Sequence, residues 1–469
     1  MNLKNIFKKN LTIVLFLPIL FNSLFNIFKL DFAKIITNQS LFKFGSFLIT
    51  SLFFTTLGYY LKKTLKINSM SLSIVFFLSS FYLFDLFFLV FTKNYFSRQT
   101  FYLVFFVWAI FILTRLEKRD LFILSTSFFV MRLFNRLNIT TISDKSVYAD
   151  LNTDVEVQWL PIAKMIYENN YFYAIQNNII DGQSIFLSYI QTVIMRLNFD
   201  ILDFYFIQIN ANILLFISLI IIFDLEITLK NKIFSALTLF LFLINSDWLF
   251  YLFANSLMLE GLLNILVATY FFNIKKYLNC GNKMSKLFFL MFGTLALTKQ
   301  FVATLSLVFF FLLIVFLKNR KTIIFSFIPI SVNLFYKNLY FDSANYITYT
   351  SDLDYKDLIL DFLYLRDLEF GNISKIILNL WIDKPLTIML IYFLLILFFA
   401  VNRSFKIEKD EILILGFILL NTLFVFLLYI SYWKNIEIQS SYRYILNVFY
   451  LIYLFLVLNF DKFERIRQP

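Results

Sequence analysis

The sequence predicts an all-α, polytopic membrane protein with about 14 transmembrane helices and two outer-face polar segments containing interfacial helices. Three observations predict it. Hydrophobic residues fill 60% of the 469 positions and the mean hydropathy is +0.76, above the roughly half-apolar composition of soluble domains. The apolar residues fall in runs suited to crossing a bilayer. The charged residues, 15% of the chain, cluster between those runs.

Taken in order, the runs place spans at 11–28, 41–60, 71–92, 100–114, 120–134, 203–225, 233–248, 252–273, 286–299, 301–317, 321–336, 385–402, 410–430 and 443–460. The opening MNLKNIFKKN before an apolar run looks like a signal sequence without a small-residue cleavage site, and reads as an uncleaved first span. With the N-terminus in the cytoplasm, the inside loops hold Lys62, Lys63 and Lys66, then Arg115, Lys118 and Arg119, then Lys230 and Lys232. Further along come Lys275 to Lys286, Lys318 to Lys321, Arg403 to Lys409 and a basic tail, so both termini fall inside. Every inside loop is basic, as the positive-inside rule requires, and removing one span breaks the alternation. The expected location is the bacterial cytoplasmic membrane. The stretch 286–317 is too long for one span and is interrupted by Thr298-Lys299-Gln300, so it reads as two short helices meeting near the outer surface.

Two long polar segments then share the outer side, at 135–200 and 337–384. Neither can sit in hydrocarbon, where its backbone and carboxylates would lie unpaired. The chain divides into N-terminal extra helices over 1–118, a central module over 119–335 that includes the first polar segment, and a C-terminal part over 336–469 that includes the second.

Composition narrows the chemistry. The chain has no histidine and a single cysteine, Cys280. Ser-His-Asp triads, Cys-His pairs, His-based zinc sites and intrachain disulfides are excluded, leaving acid–base work to Asp, Glu, Lys or Tyr. The net charge of +12 is accounted for by loops flanking spans, so nucleic acid is not an expected partner.

The catalytic candidates are Asp154, Glu156 and Asp150. Asp154 and Glu156 head a segment in which Trp159, Ile162, Ala163 and Ile166 share one helical stripe. A carboxylate held above such a helix can take a proton from an acceptor hydroxyl. The same residues, Thr153-x-x-Glu156, also form a capping box, and Asp150 also reads as an ordinary loop residue. Pro161 requires the helix to start or kink near Leu160. Lys299 suits a lipid phosphate, or equally a snorkelling lysine at a helix end. Arg443, with Tyr442 in Ser440-Ser441-Tyr442-Arg443-Tyr444, suits bidentate pairing with a phosphate, or an aromatic-belt anchor. Glu260, an acid inside an apolar run, supports the site or bonds to a neighbouring helix.

These residues, in this order, resemble the GT-C superfamily of membrane glycosyltransferases, of the protein mannosyltransferase, aminoarabinose transferase and Rgt-like type. The resemblance covers about 120–460. It rests on Asp154-Val155-Glu156 ahead of Trp159 and Ala163, on Asp181-Gly182-Gln183-Ser184 entering a helix, and on Glu260. Gly293-Thr294-Leu295-Ala296-Leu297-Thr298-Lys299 and Arg443-Tyr444 complete it. Two features depart from the family pattern: Val155 splits the acidic pair, and four further spans precede the module.

The resemblance implies a polyprenyl-phosphate-linked sugar donor, a glycolipid, glycan or protein acceptor, membrane lipid as surroundings and an outer-face, inverting transfer. In that reading Asp154 or Glu156 is the base, and Lys299 and Arg443 stabilise the leaving phosphate. No cofactor is expected; oxygen ligands between the carboxylates would suit Mg or Mn. A polymerase or ligase of lipid-linked glycans is the alternative. A lipid-linked sugar flippase or transporter fits less well, because 8 Gly and 5 Pro leave few broken helices. A non-catalytic scaffold would not need ordered acids and bases on one face.

Overall fold

The computed structural model describes residues 58–92, 117–126, 160–168, 186–192, 216–245, 259–278, 283–298, 320–340, 371–382, 409–427 and 449–467, leaving out 60, 121, 124, 187 and 191. Among these residues the regular structure is helical and there is no strand. The main helices are α1 (Met70–Thr92), α2 (Leu160–Tyr167), α3 (Leu229–Asn245), α4 (Leu259–Leu278) and α5 (Lys283–Phe292). They continue with α6 (Arg320–Ile323), α7 (Phe327–Tyr340), α8 (Gly371–Ile382), α9 (Lys409–Leu427) and α10 (Phe449–Arg467). A 3-10 segment, Gly293–Leu297, follows α5, and another, Ile324–Ser326, joins α6 to α7.

The expectation of about 14 membrane-crossing helices is corrected: among the described residues no helix is long and apolar enough to cross a membrane. The apolar runs of the sequence become helices that are short or carry polar groups. α3 has 17 residues, α7 has 14, and α5 stops after 10 where the backbone tightens into the 3-10 segment. α4 carries Glu260, Lys275 and Lys276, α9 opens on Lys409-Asp410-Glu411, and α10 ends in DKFERIR. α1 interleaves Ser71, Ser73, Ser79, Ser80 and Asp85 with its apolar residues. Hydropathy averaged along a sequence does not register where a helix ends or which way its polar residues face.

α4 is the organising element, packing against α1, α5, α9 and α10. Its helicity owes more to packing than to propensity, since Gly261, Asn264, Val267, Thr269 and the aromatic residues are weak helix formers, and it is buried because apolar residues cover its circumference. Its aromatic residues interlock with neighbours rather than merely filling space. Tyr270 meets Phe292 edge-on at 5.6 Å and Phe288 at 5.8 Å, Phe271 lies 4.4 Å from Phe417 of α9, and Tyr277 stacks on Phe288 at 4.6 Å. Each such buried ring contributes about 1.5–3 kcal/mol over its exposed state. α10 closes the other side: the Tyr450 N–H donates to Asn264 Oδ1 of α4 at 3.1 Å, and the Tyr450 and Tyr453 hydroxyls donate to the carbonyls of Ser218 and Ser235.

Candidate functional site

α2 is the element on which the acidic candidates border. It begins at Leu160, with Pro161 in its first turn, where the missing N–H costs nothing. Ile162, Ala163 and Ile166 of the apolar stripe are buried, whereas Lys164 and Glu168 face outward as an i,i+4 pair at 3.9 Å. Ala163 lets a second segment approach closely: the Thr192 hydroxyl donates to the Ala163 carbonyl at 2.9 Å. Phe186 and Tyr189, from that same segment, lie 4.4 Å and 5.5 Å from the Tyr82 ring of α1. α2 is thereby held to α1 through residues 186–192. Asp150, Asp154 and Glu156, in the ten residues before Leu160, lie outside the described residues.

The second element is the break after α5. Gly293 presses against the Ile324–Ser326 segment so closely that a Cβ would stand 2.1 Å from the Ser326 carbonyl oxygen. Of the expected interruption at 298–300 only Thr298 is among the described residues; ahead of it the backbone tightens from Gly293, which meets Ser326 more than thirty residues away in sequence. Thr294 Oγ1 lies 2.9 Å from Ser79 Oγ and 2.6 Å from the Met291 carbonyl, and Ser79 Oγ lies 2.8 Å from the Tyr270 hydroxyl. Tyr270, Ser79, Thr294 and the Met291 carbonyl thus form one buried set of hydrogen bonds, in which the Thr294 hydroxyl donates to Ser79 Oγ and to the Met291 carbonyl. This buried relay ties α1, α4 and the 3-10 segment together. Thr298 ends the break, its N–H bonded to the Leu295 carbonyl at 3.2 Å and its hydroxyl to the same oxygen at 2.7 Å. Lys299, the next residue, lies outside the described residues, as do Tyr442 and Arg443. Glu260 is the second described residue of α4.

A polar cluster that the sequence reading did not single out lies at the N-terminal end of α1. Asp224 accepts hydrogen bonds from Ser69 Oγ at 2.5 Å, Ser71 Oγ at 3.1 Å and the Ser71 N–H at 3.3 Å, and Arg119 stands 3.6 Å away. Ser69 also caps α1, its Oγ accepting the Leu72 N–H at 3.1 Å. Lys62 donates to Asp120, which is fully buried and whose second carboxylate oxygen has no hydrogen-bond partner. Burial pushes the Asp120 carboxyl above its ordinary value, and the Lys62 hydrogen bond pulls against that shift. Lys232 donates to the Phe223 carbonyl at 2.6 Å, and burial, with Arg119 close by, holds its ammonium below the usual lysine range. The available signal was an acid (Asp120, Asp224) at the edge of each of two basic loops, but nothing local paired those loops with each other.

Among the described residues no group of three or more His, Cys, Asp or Glu side chains is arranged to hold a metal ion. Comparison with family models, with curated proteins and with solved structures found no match.

Proposed function

We propose that this chain is a membrane glycosyltransferase that moves a sugar from a polyprenyl-phosphate-linked donor to an acceptor hydroxyl on the outer face of a bacterial cytoplasmic membrane. The observation that carries the reading is the run Asp154-Val155-Glu156 immediately ahead of α2, a helix fixed by its buried Ile162, Ala163 and Ile166. Carboxylates next to an immobilised helix lose less entropy on reaching a productive geometry than carboxylates on a free loop. The 3-10 segment Gly293–Leu297, which precedes Lys299 in the chain, supports the same reading.

In the proposed reaction Asp154 or Glu156 accepts the proton of the acceptor hydroxyl. The oxygen attacks the anomeric carbon from the face opposite the leaving group, which inverts the configuration. The bond from that carbon to the phosphate oxygen breaks, and its electron pair leaves with the polyprenyl phosphate. Lys299 and Arg443 neutralise the charge that develops there. Phosphate leaves readily as an anion, so no separate general acid is required. A lipid-borne donor also suits a chain with no Gly-rich nucleotide loop.

Asp154→Asn and Glu156→Gln test the assignment. One of the two should lower transfer by about 10²–10⁴-fold while the protein accumulates normally. The readout is mass analysis of envelope glycolipids and glycoproteins from cells carrying each variant. Full transfer by both variants refutes the base assignment, and long polymeric products in place of single-sugar additions favour a polymerase.

A further inference from the structure

The outward face of α3 is built the wrong way round for a helix surrounded by water. Leu229, Ile233, Phe234 and Leu237 are 53%, 47%, 56% and 53% exposed, whereas Asn231, Ser235 and Ala236 are buried. The spacing of the four exposed residues (229, 233, 234 and 237) puts them on one side of the helix. The buried polar groups are satisfied locally: Ser235 Oγ donates to the Asn231 carbonyl at 2.6 Å, and the Asn231 N–H is capped by Thr228 Oγ1 at 3.3 Å. Contiguous exposed apolar residues of this size mark a surface that is covered in use.

The charge beside this stripe says what covers it. Within residues 61–69, 117–120 and 224–232 there are seven Lys or Arg and four Asp or Glu, a balance of +3. Two of the four acids, Asp120 and Asp224, are turned inward onto Lys62 and the serines of α1. Lys63, Lys66, Lys118, Arg119 and Lys230 are exposed at the rim, against the two exposed acids Glu117 and Glu226, so the exposed charge is still +3. The bonds already described join these segments into one body: Lys62 to Asp120, Arg119 to Asp224, and Lys232 to the end of the 216–224 helix. Lys66 owes its exposure to the backbone, because it takes a left-handed conformation (φ 53°) while the Ile67 N–H returns to the Lys62 carbonyl at 2.9 Å. Lysine is depleted in protein–protein interfaces, whereas a lysine rim beside an aliphatic stripe matches anionic headgroups above acyl chains.

We propose that the exposed face of α3, with its rim of Lys63, Lys66, Arg119 and Lys230, docks into the headgroup layer of an anionic phospholipid bilayer. Its residues are not among those assigned to sugar transfer, and the proposal does not depend on that assignment. The test uses the full chain with Cys280→Ser and Leu237→Cys, carrying an environment-sensitive fluorophore at position 237. It is mixed with vesicles of phosphatidylcholine alone or of phosphatidylcholine with phosphatidylglycerol.

The expected result is a blue shift and quenching by spin-labelled lipid that need phosphatidylglycerol. A label placed instead at exposed Ser374 should stay open to an aqueous quencher. Lys63→Gln, Lys66→Gln and Lys230→Gln, all at exposed positions, should each weaken the phosphatidylglycerol-dependent signal about fivefold at low salt. Equal signals in both kinds of vesicle would overturn the proposal. So would a blue shift that rises with protein concentration in the absence of lipid, which would mean that a second copy of the chain covers α3.

Discussion

Replacing Gly293 by alanine should destabilise the chain by about 3 kcal/mol, at the upper end of what overpacking ordinarily costs. The added methyl carbon would lie 2.1 Å from the Ser326 carbonyl oxygen, 2.8 Å from its carbonyl carbon and 2.9 Å from its Cα. Relaxed non-bonded contact is roughly 3.5–4.0 Å, so the two segments would have to separate by roughly 1 Å or more. All three contacts are to backbone, and Ser326 is itself buried, so no change of rotamer relieves them. Gly416 of α9 is the matched control, because a Cβ there meets nothing within 4 Å. In the middle of a helix, Gly416→Ala should stabilise by roughly 0.5–1 kcal/mol through the lost freedom of the unfolded chain. Denaturant titration of the purified full chain, followed by tyrosine and tryptophan fluorescence, measures both. The reasoning fails if Gly293→Ala unfolds at or above the wild-type midpoint, or if Gly416→Ala loses as much stability as Gly293→Ala.

Lys62→Gln should cost about 3 kcal/mol at neutral pH, because it leaves the buried Asp120 carboxylate without its cation; the same titration reads this out. Asp120 also sets a pH dependence. Its folded-state pKa lies above the ordinary 3.8, so the folded protein takes up the proton first, and the stability that this group contributes rises as pH falls from the folded value towards 3.8. Asp120→Asn should flatten that part of the curve, and an unchanged pH profile would count against the assignment. Ser79→Ala and Thr294→Val should each cost about 1 kcal/mol, and the double variant less than their sum, because both act on one relay. Strict additivity in a double-mutant cycle would mean that the two hydroxyls are independent.

The parts of the fold legible in the sequence are those fixed by neighbours in the chain. The α2 stripe and its start at Leu160 follow from residue spacing and from Pro161. The 3-10 segment at Gly293 was not legible, because the Ser326 backbone that it meets carries no mark nearby. The cluster of Lys62, Asp120, Arg119 and Asp224 was illegible because its hydrogen bonds join residues 58, 153 and 155 positions apart. The crossing helices were over-read because a window average treats Ser71, Ser73 and Ser79 as dilutions of an apolar run. In the fold all three are buried, and Ser71 and Ser79 tie α1 to Asp224 and to Tyr270 and Thr294. Of the candidate site, the acids and bases are read from their order in the sequence, and the structure describes α2 after Glu156 and the 3-10 segment ahead of Lys299.

The grip of α10 on the middle of the chain has a consequence for synthesis. The Tyr450 hydroxyl meets a carbonyl 232 positions earlier, and the Tyr453 hydroxyl one 218 positions earlier. At roughly 5–20 residues per second, residues 216–245 leave the ribosome roughly 10–45 s before the helix that clasps them exists. During that interval Asn264 and the carbonyls of Ser218 and Ser235 lack the α10 groups that bond them in the fold, and a nascent chain paused before residue 449 is a natural client for a chaperone.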